Sequence, residues 1–238
     1  MIGTGSILTA RLSACVLIDG RILVDAPNGA MKHIRRLGKD VSKIDICLIT
    51  HFHGDHYFDL PFLLIEHGLL RERSSPLYII GPPGIGQRMR QLYDLAYPTR
   101  WEMLAANAKV GFIEVPRKPF VEIALCGYEI TAVEVRHGDV HALGYRIRRG
   151  DKTVGITGDA EWCDGVEFLA GTSDLVIADA TFPQPHSGHM GVTDIERLAA
   201  MFRIAPERLI ATHMTDEVHS LRRTDFTIPQ DGDEFLLE

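Results

Sequence analysis

The run Thr50-His51-Phe52-His53-Gly54-Asp55-His56 brings three histidines and a carboxylate into six residues. Imidazole nitrogen and carboxylate oxygen are both ligands for zinc. The run follows Ile44-Asp45-Ile46-Cys47-Leu48-Ile49, a mostly apolar stretch that reads as a buried strand. A rigid strand ending in a polar loop holds several donors at once. Alternation lets His51 and His53 face one metal while Asp55 and His56 turn toward another. The bland alternative is a surface loop that happens to be rich in histidine. The H-x-H-x-D-H spacing is far more specific than a lone histidine pair, and further donors follow in similar settings.

Those later donors share one grammar. Ile130-Thr131-Ala132-Val133-Glu134-Val135 leads through Arg136 into His137. Thr153-Val154-Gly155-Ile156-Thr157 leads into Gly158-Asp159, and Arg208-Leu209-Ile210-Ala211-Thr212 into His213. In open α/β sheets, sites gather beyond the carboxyl ends of strands. Four such ends converging on one cleft is the economical reading. His141 lies four residues past His137 and competes with it, but His137 follows its strand directly and is preferred.

Here the chain resembles the metallo-β-lactamase fold superfamily, and within it the ribonuclease Z-like phosphodiesterase branch. The resemblance covers nearly the whole chain. Gly3-Thr4-Gly5-Ser6 resembles the opening glycine turn, and Ile22-Leu23-Val24-Asp25-Ala26 the second strand. His51 to Asp59 matches the H-x-H-x-D-H signature. His137 with Gly144-Tyr145-Arg146-Ile147, Gly158-Asp159 and Thr212-His213 resemble the remaining ligand motifs. His189-Met190-Gly191 falls where the branch carries a histidine involved with phosphate.

The resemblance implies a four-layer α/β-β/α sandwich, whereas periodicity alone supports only an α/β domain. It also implies two divalent metal ions. His51, His53 and His137 would hold one, Asp55, His56 and His213 the other, and Asp159 would bridge them. Zinc is the default, and mixed nitrogen and oxygen donors also admit manganese or iron. The expected reaction is hydrolysis by a metal-bridging hydroxide, which Asp55 helps to orient. His189 would assist the leaving group. Asp179, at the end of Leu175-Val176-Ile177-Ala178, either orients His189 or caps a turn. The branch usually carries Glu there.

One departure bears on the substrate. Ribonuclease Z enzymes that process tRNA carry a long arm between the Gly-Tyr and Gly-Asp motifs. Here a short hairpin turning at Arg149-Gly150-Asp151 separates Tyr145 from Asp159. The formal net charge is −7, without the basic footprint that grips long nucleic acid. The pairs and runs at Arg35-Arg36, Arg71 to Arg73, Arg146 to Arg149 and Arg222-Arg223 read as solvated faces. The expectation is a phosphodiesterase for a small or cyclic substrate, with no stable nucleic-acid partner and a homodimer left open. Alternatives are a thioester or lactone metallohydrolase and a tRNA 3′-processing endoribonuclease, followed by an inactive metal-binding scaffold. Glyoxalase II-like enzymes add a C-terminal helical region for which Thr215 to Glu238 looks too short. Diiron oxidoreductases of this fold usually carry Glu where His53 stands.

The supporting elements read as one alternating α/β domain of 238 residues, 45% hydrophobic. Ala14 to Ile18 and Arg21 to Asp25 flank the hairpin signal Asp19-Gly20. Met31, Ile34 and Leu37 recur at helical spacing before Gly38. Leu60 to His67 reads as a helix stopped by Gly68, and Ile85 to about Leu95 as another. Leu77 to Ile80, Val121 to Leu125, Tyr128 to Val135 and Leu175 to Ala178 read as strands, and Val166 to Ala170 as a short helix. Val192 to Phe202 is amphipathic, with Thr193 or Asp194 as its cap and a Thr193–Glu196 capping box.

No apolar stretch reaches 18 residues, and no basic region precedes a long apolar one at the start. Cys15, Cys47, Cys126 and Cys163 are scattered and read as buried thiols of a reducing compartment, so a cytoplasmic setting is expected. His33, His67 and His219 read as surface residues, and His186 as a pocket or loop residue. Trp162 and Tyr145 suit either pocket walls or core packing, with packing favoured.

Overall fold

The computed structural model of the protein describes residues 1–69 and 75–237. The Arg71 to Arg73 run lies outside them.

The first sheet has the order β1 (Val16–Ile18), β2 (Ile22–Val24), β3 (Ile46–Leu48), β4 (Tyr78–Gly81), β5 (Gly111–Glu114). Its first pair is an antiparallel hairpin and the remaining pairs are parallel. The second sheet comprises β6 (Phe120–Leu125), β7 (Tyr128–His137), β8 (Val140–Arg149), β9 (Lys152–Ile156), β10 (Leu175–Asp179) and β11 (Leu209–Thr212) in sequential order. β6 to β9 form an antiparallel meander, and β9, β10 and β11 run parallel. The helices are α1 (Ala30–Arg36), α2 (Gly54–Tyr57), α3 (Leu60–Leu69), α4 (Ile85–Ala96), α5 (Trp101–Ala108), α6 (Asp164–Thr172), α7 (Val192–Phe202) and α8 (Asp216–His219).

Strand alternation divides the apolar residues among three cores and so dictates four layers. Ile22 and Val24 of β2, with Ile46 and Leu48 of β3, face the second sheet and meet Ile130, Leu143, Tyr145 and Ile177. Leu23 and Cys47 point the other way, onto α1, α3, α4 and α5 through Ile34, Leu63, Met89 and Leu104. Val176, Ala178, Leu209 and Ala211 pack outward against Leu169 of α6 and Ile195 and Leu198 of α7. Strands buried on both faces carry apolar runs rather than alternation. That is why the parallel strands carrying the candidate donors read so clearly. The result is the expected sandwich.

Several local expectations are corrected. Gly68 does not stop α3; it lies inside the helix, where a Cβ would come within 2.7 Å of the Leu104 carbonyl oxygen of α5. Close helix packing, not a turn, explains that glycine. Gly191 is the N-cap of α7, while Asp194 Oδ2 accepts from the Gly191 N–H at 3.1 Å and Glu196 pairs with Arg223. His67 is buried, not on the surface, whereas His33 and His219 are half-buried. Cys15 and Cys47 are buried as expected, but Cys126 is exposed on the β6–β7 turn and Cys163 is half-buried. α5 and β5 carry no distinct sequence signal. Among the described residues, no helix is long and apolar enough to cross a membrane.

Candidate metal centre

The carboxyl ends of β2, β3, β9, β10 and β11 open onto one side of the sandwich, and His137 closes β7 beside them. Beyond β3, Thr50 leads into the histidine run. His53 caps α2, whose single turn carries Asp55 and His56, with the His56 ring 4.1 Å from that of His51. A Cβ at Gly54 would meet the Phe58 ring at 2.7 Å, so that exposed ring would have to move to admit a larger residue. The donors fall into three groups: His51, His53, His137 and Asp159; Asp55, His56 and His213; and Asp159, His189 and His213.

The imidazoles are oriented by their Nδ1 atoms. His56 Nδ1 donates to Asp25 Oδ2 at 2.7 Å. His51 Nδ1 donates to Thr50 Oγ1 at 3.0 Å, and His213 Nδ1 to Thr181 Oγ1 at 2.9 Å. His137 Nδ1 donates to the Gly188 carbonyl. Each bond fixes the tautomer and turns an Nε2 lone pair inward. His56 Nε2 and His213 Nε2 both lie 3.3 Å from Asp159 Oδ2, with His51 Nε2 at 3.9 Å and His137 Nε2 at 4.0 Å. Asp55 Oδ2 stands 3.5 Å from His213 Nε2 and 3.7 Å from His56 Nε2. His53 offers Nδ1, 3.2 Å from His137 Nε2.

Most of these inner spacings are longer than good hydrogen bonds. Nε2 of His51, His56 and His213 is buried without a hydrogen-bond partner. Buried polar atoms are normally paired. Nε2 of His33, His141 and His219 is orphaned too, but those of His51, His56 and His213 differ in converging on a buried carboxylate, an arrangement that a cation would satisfy. The donor set therefore fits divalent metal binding. The electrostatics are those of one strongly interacting cluster. Burial, reinforced by His56, drives the His51 imidazole well below its ordinary value. Burial would lower His56 too, but Asp159 and Asp25 raise it well above the ordinary imidazole value. Burial would raise Asp159, but His213 and His56 hold it well below the usual carboxylate range.

His189 and Asp179 form an adjoining pair. His189 Nδ1 donates to Asp179 Oδ2 at 2.9 Å. Asp179 Oδ1 accepts from the Thr181 N–H at 2.9 Å and also from the Thr181 hydroxyl. Burial would lower the His189 value, but the bond to Asp179 and that group's charge raise it above the ordinary imidazole value. With Nδ1 committed to Asp179, His189 keeps Nε2 for another partner.

Other candidates fall outside these groups. His141 is half-buried beside Arg136 in the β7–β8 register. His186 is exposed and pairs by backbone with His189. Tyr145 lies between the sheets with its hydroxyl on the Ile49 carbonyl at 2.7 Å. Trp162 packs toward the outer core beneath Arg197, its Nε1 on Glu167 at 2.7 Å. A cavity of about 740 Å³ lies at the opposite end, between the Asp19-Gly20 turn and the start of β9, and holds none of the donors.

Sequence reasoning misses Asp25, Thr50 and Thr181, which hold the candidate ligand rings of His56, His51 and His213 from behind. Asp25 also accepts from the Thr50 N–H and hydroxyl, each at 2.8 Å. It ends an apolar strand just as the inner donors do, and that was the available signal.

This fold and donor set define a metallohydrolase-type scaffold, and the beta-lactamase superfamily domain matches residues 20–214. The chain belongs to that family. It is 35% identical over 141 residues to the ribonuclease Z of Pyrococcus abyssi, covering 59% of this chain and 43% of that protein. Against the ribonuclease Z of Thermococcus kodakarensis it is 26% identical, covering 88% of this chain and 81% of the relative. The chain thus spans less than half the length of the first of these relatives. The human tRNase Z short form superposes with a TM-score of 0.77 at 20% identity, covering 99% of this chain and 98% of that one. A diphosphatase of the PhnP family gives 0.70 at 20% identity, covering 100% and 98%. At this identity the two structures share the fold.

Proposed function

We propose that the protein is a metal-dependent hydrolase, and specifically a phosphodiesterase acting on a small or cyclic phosphodiester. The observation that carries this reading is the convergence of orphaned imidazole nitrogens on Asp159 beside the His189–Asp179 pair. His51, His53 and His137 would hold one divalent ion, Asp55, His56 and His213 a second, and Asp159 both. Zinc is the first expectation, with manganese or iron compatible with the donors. Such ions supply an activated water and neutralise charge on phosphoryl oxygens.

The chain's own groups do the remaining work. Asp55, half-buried at the mouth, orients the attacking water. As the bond from phosphorus to the leaving oxygen breaks, His189 passes its Nε2 proton to that oxygen. Asp179 keeps the ring aligned and favours its protonated form. The short β8–β9 turn and the net charge of −7 favour a compact substrate over a long polyanion.

A second reading, a tRNA 3′-processing endoribonuclease, is favoured by the relatives named ribonuclease Z. Metal analysis followed by turnover of cyclic nucleotides, nitrophenyl diesters, a tRNA precursor with a 3′ trailer, a thioester and a lactone separates the readings. Chelator-sensitive turnover of the small diesters is expected. Efficient cleavage of the tRNA precursor would establish the second reading, and activity confined to the thioester or lactone would overturn both.

A further inference from the structure

Gly188 sits where two parts of the centre meet. Its carbonyl accepts from His137 Nδ1, its N–H donates to Glu161 Oε1 at 2.9 Å, and the next residue is His189. With φ at +87°, and a Cβ that would lie 3.1 Å from His137 Nδ1, the position suits only glycine. Glu161 is itself fixed. Its Oε2 accepts from Arg136 Nε at 2.8 Å, and its backbone N–H donates to the Arg136 carbonyl at 2.7 Å. Arg136 Nη2 in turn holds the Trp162 carbonyl at 2.7 Å. A carboxylate accepting from a backbone N–H and a guanidinium makes charge-assisted bonds, stronger than neutral ones.

From this geometry we infer that Glu161 is a positioning residue: its carboxylate clamps the Gly188 peptide so that His137 and His189 are set together. The inference rests on His137 as a ligand and His189 as the proton donor. Arg136 adjoins the first and Gly188 the second, so one side chain fixes the distance between binding and proton transfer. His137 Nδ1 links the two segments directly at the Gly188 carbonyl, and Glu161 adds a second side-chain bridge through the Gly188 N–H.

The test uses the whole chain and zinc alone as the probe, with Glu161→Ala, Glu161→Gln and Gly188→Ala. Zinc affinity is read by chelator competition. Values of kcat and KM are read on an alkyl diester and on a nitrophenyl diester. Glu161→Ala should bind zinc about 10–100-fold more weakly, the usual scale for removing a group that orients a ligand. Its kcat should fall more on the alkyl diester than on the nitrophenyl one, with KM little changed. Glu161→Gln keeps an acceptor for the Gly188 N–H and should recover much of both. Gly188→Ala should reproduce the alanine phenotype by displacing the same peptide. Wild-type zinc affinity together with wild-type leaving-group dependence in Glu161→Ala overturns the inference. If that variant does not fold, unchanged zinc affinity in Gly188→Ala overturns it instead. If the wild type hydrolyses no diester, the functional reading fails while the zinc measurement still decides the role of Glu161.

Discussion

Asp25 and His56 are joined by a 2.7 Å hydrogen bond across 31 residues of chain. The carboxylate sits behind the imidazole and commits its Nδ1, so Nε2 faces Asp159. Through the Thr50 hydroxyl, the same carboxylate also supports His51. Asp25→Ala should therefore weaken zinc binding by about 10–100-fold without removing a ligand. It should also destabilise the fold, because the buried Thr50 N–H loses its acceptor, a loss of about 1–3 kcal/mol. Chelator competition and thermal melts measure the two effects. Zinc affinity equal to wild type would show that His56 orients itself.

Metal removal should lower the melting temperature. A ligand that binds the folded state alone stabilises it by mass action, about 2.7 kcal/mol when its concentration is roughly 100 times Kd. Melting should recover on adding metal back. An unchanged melt in protein verified to be metal-free would contradict the assignment of His51, His56 and His213 as ligands.

His189→Ala should retain its metal yet lose turnover. General acid catalysis contributes about 10²–10⁴-fold, so the loss should be large for an alkoxide leaving group and small for nitrophenolate. Metal content and rates on both substrates are the measurements. Loss of metal would make His189 a ligand, and full activity on the alkyl substrate would make it a bystander.

Tyr128 reports on the far end of the sandwich. Its hydroxyl donates to Asp19 Oδ2 at 3.0 Å, and burial together with that bond pushes the phenol from 10.0 up to about 12. A raised phenol stabilises the fold fully below the unfolded-state value, and that support is lost as pH rises from 10.0 through about 12. Tyr128→Phe should lack this part of the alkaline decline in melting temperature. Parallel declines in the two proteins would place the phenol at its ordinary value.

The inner donors were legible because each depends on short-range information. A doubly buried strand is an apolar run, and the donor stands directly after it, as with Ile156-Thr157-Gly158-Asp159. The four layers needed the resemblance, since alternation becomes informative only once facing residues are known. The supporting groups were harder to see. Thr181 meets His213 across 32 residues, and a threonine after a strand carries no metal signal of its own. Gly68 misleads for a related reason: a glycine that ends a helix and one that lets Leu104 approach look alike in one dimension. α5 follows Arg100, which adopts φ +74°, without an N-cap side chain to announce it.

The donors come from both sheets: His51, His53, Asp55 and His56 follow β3, whereas His137, Asp159 and His213 follow strands of the second sheet. Neither half-sandwich can assemble the centre alone. Sites that need distant segments form late, because closing long loops is entropically costly before any contact rewards it. On the proposed ligand assignment, metal capture would therefore wait for assembly: a chain that has not docked its two sheets would present scattered histidines, and the finished sandwich would close the clasp.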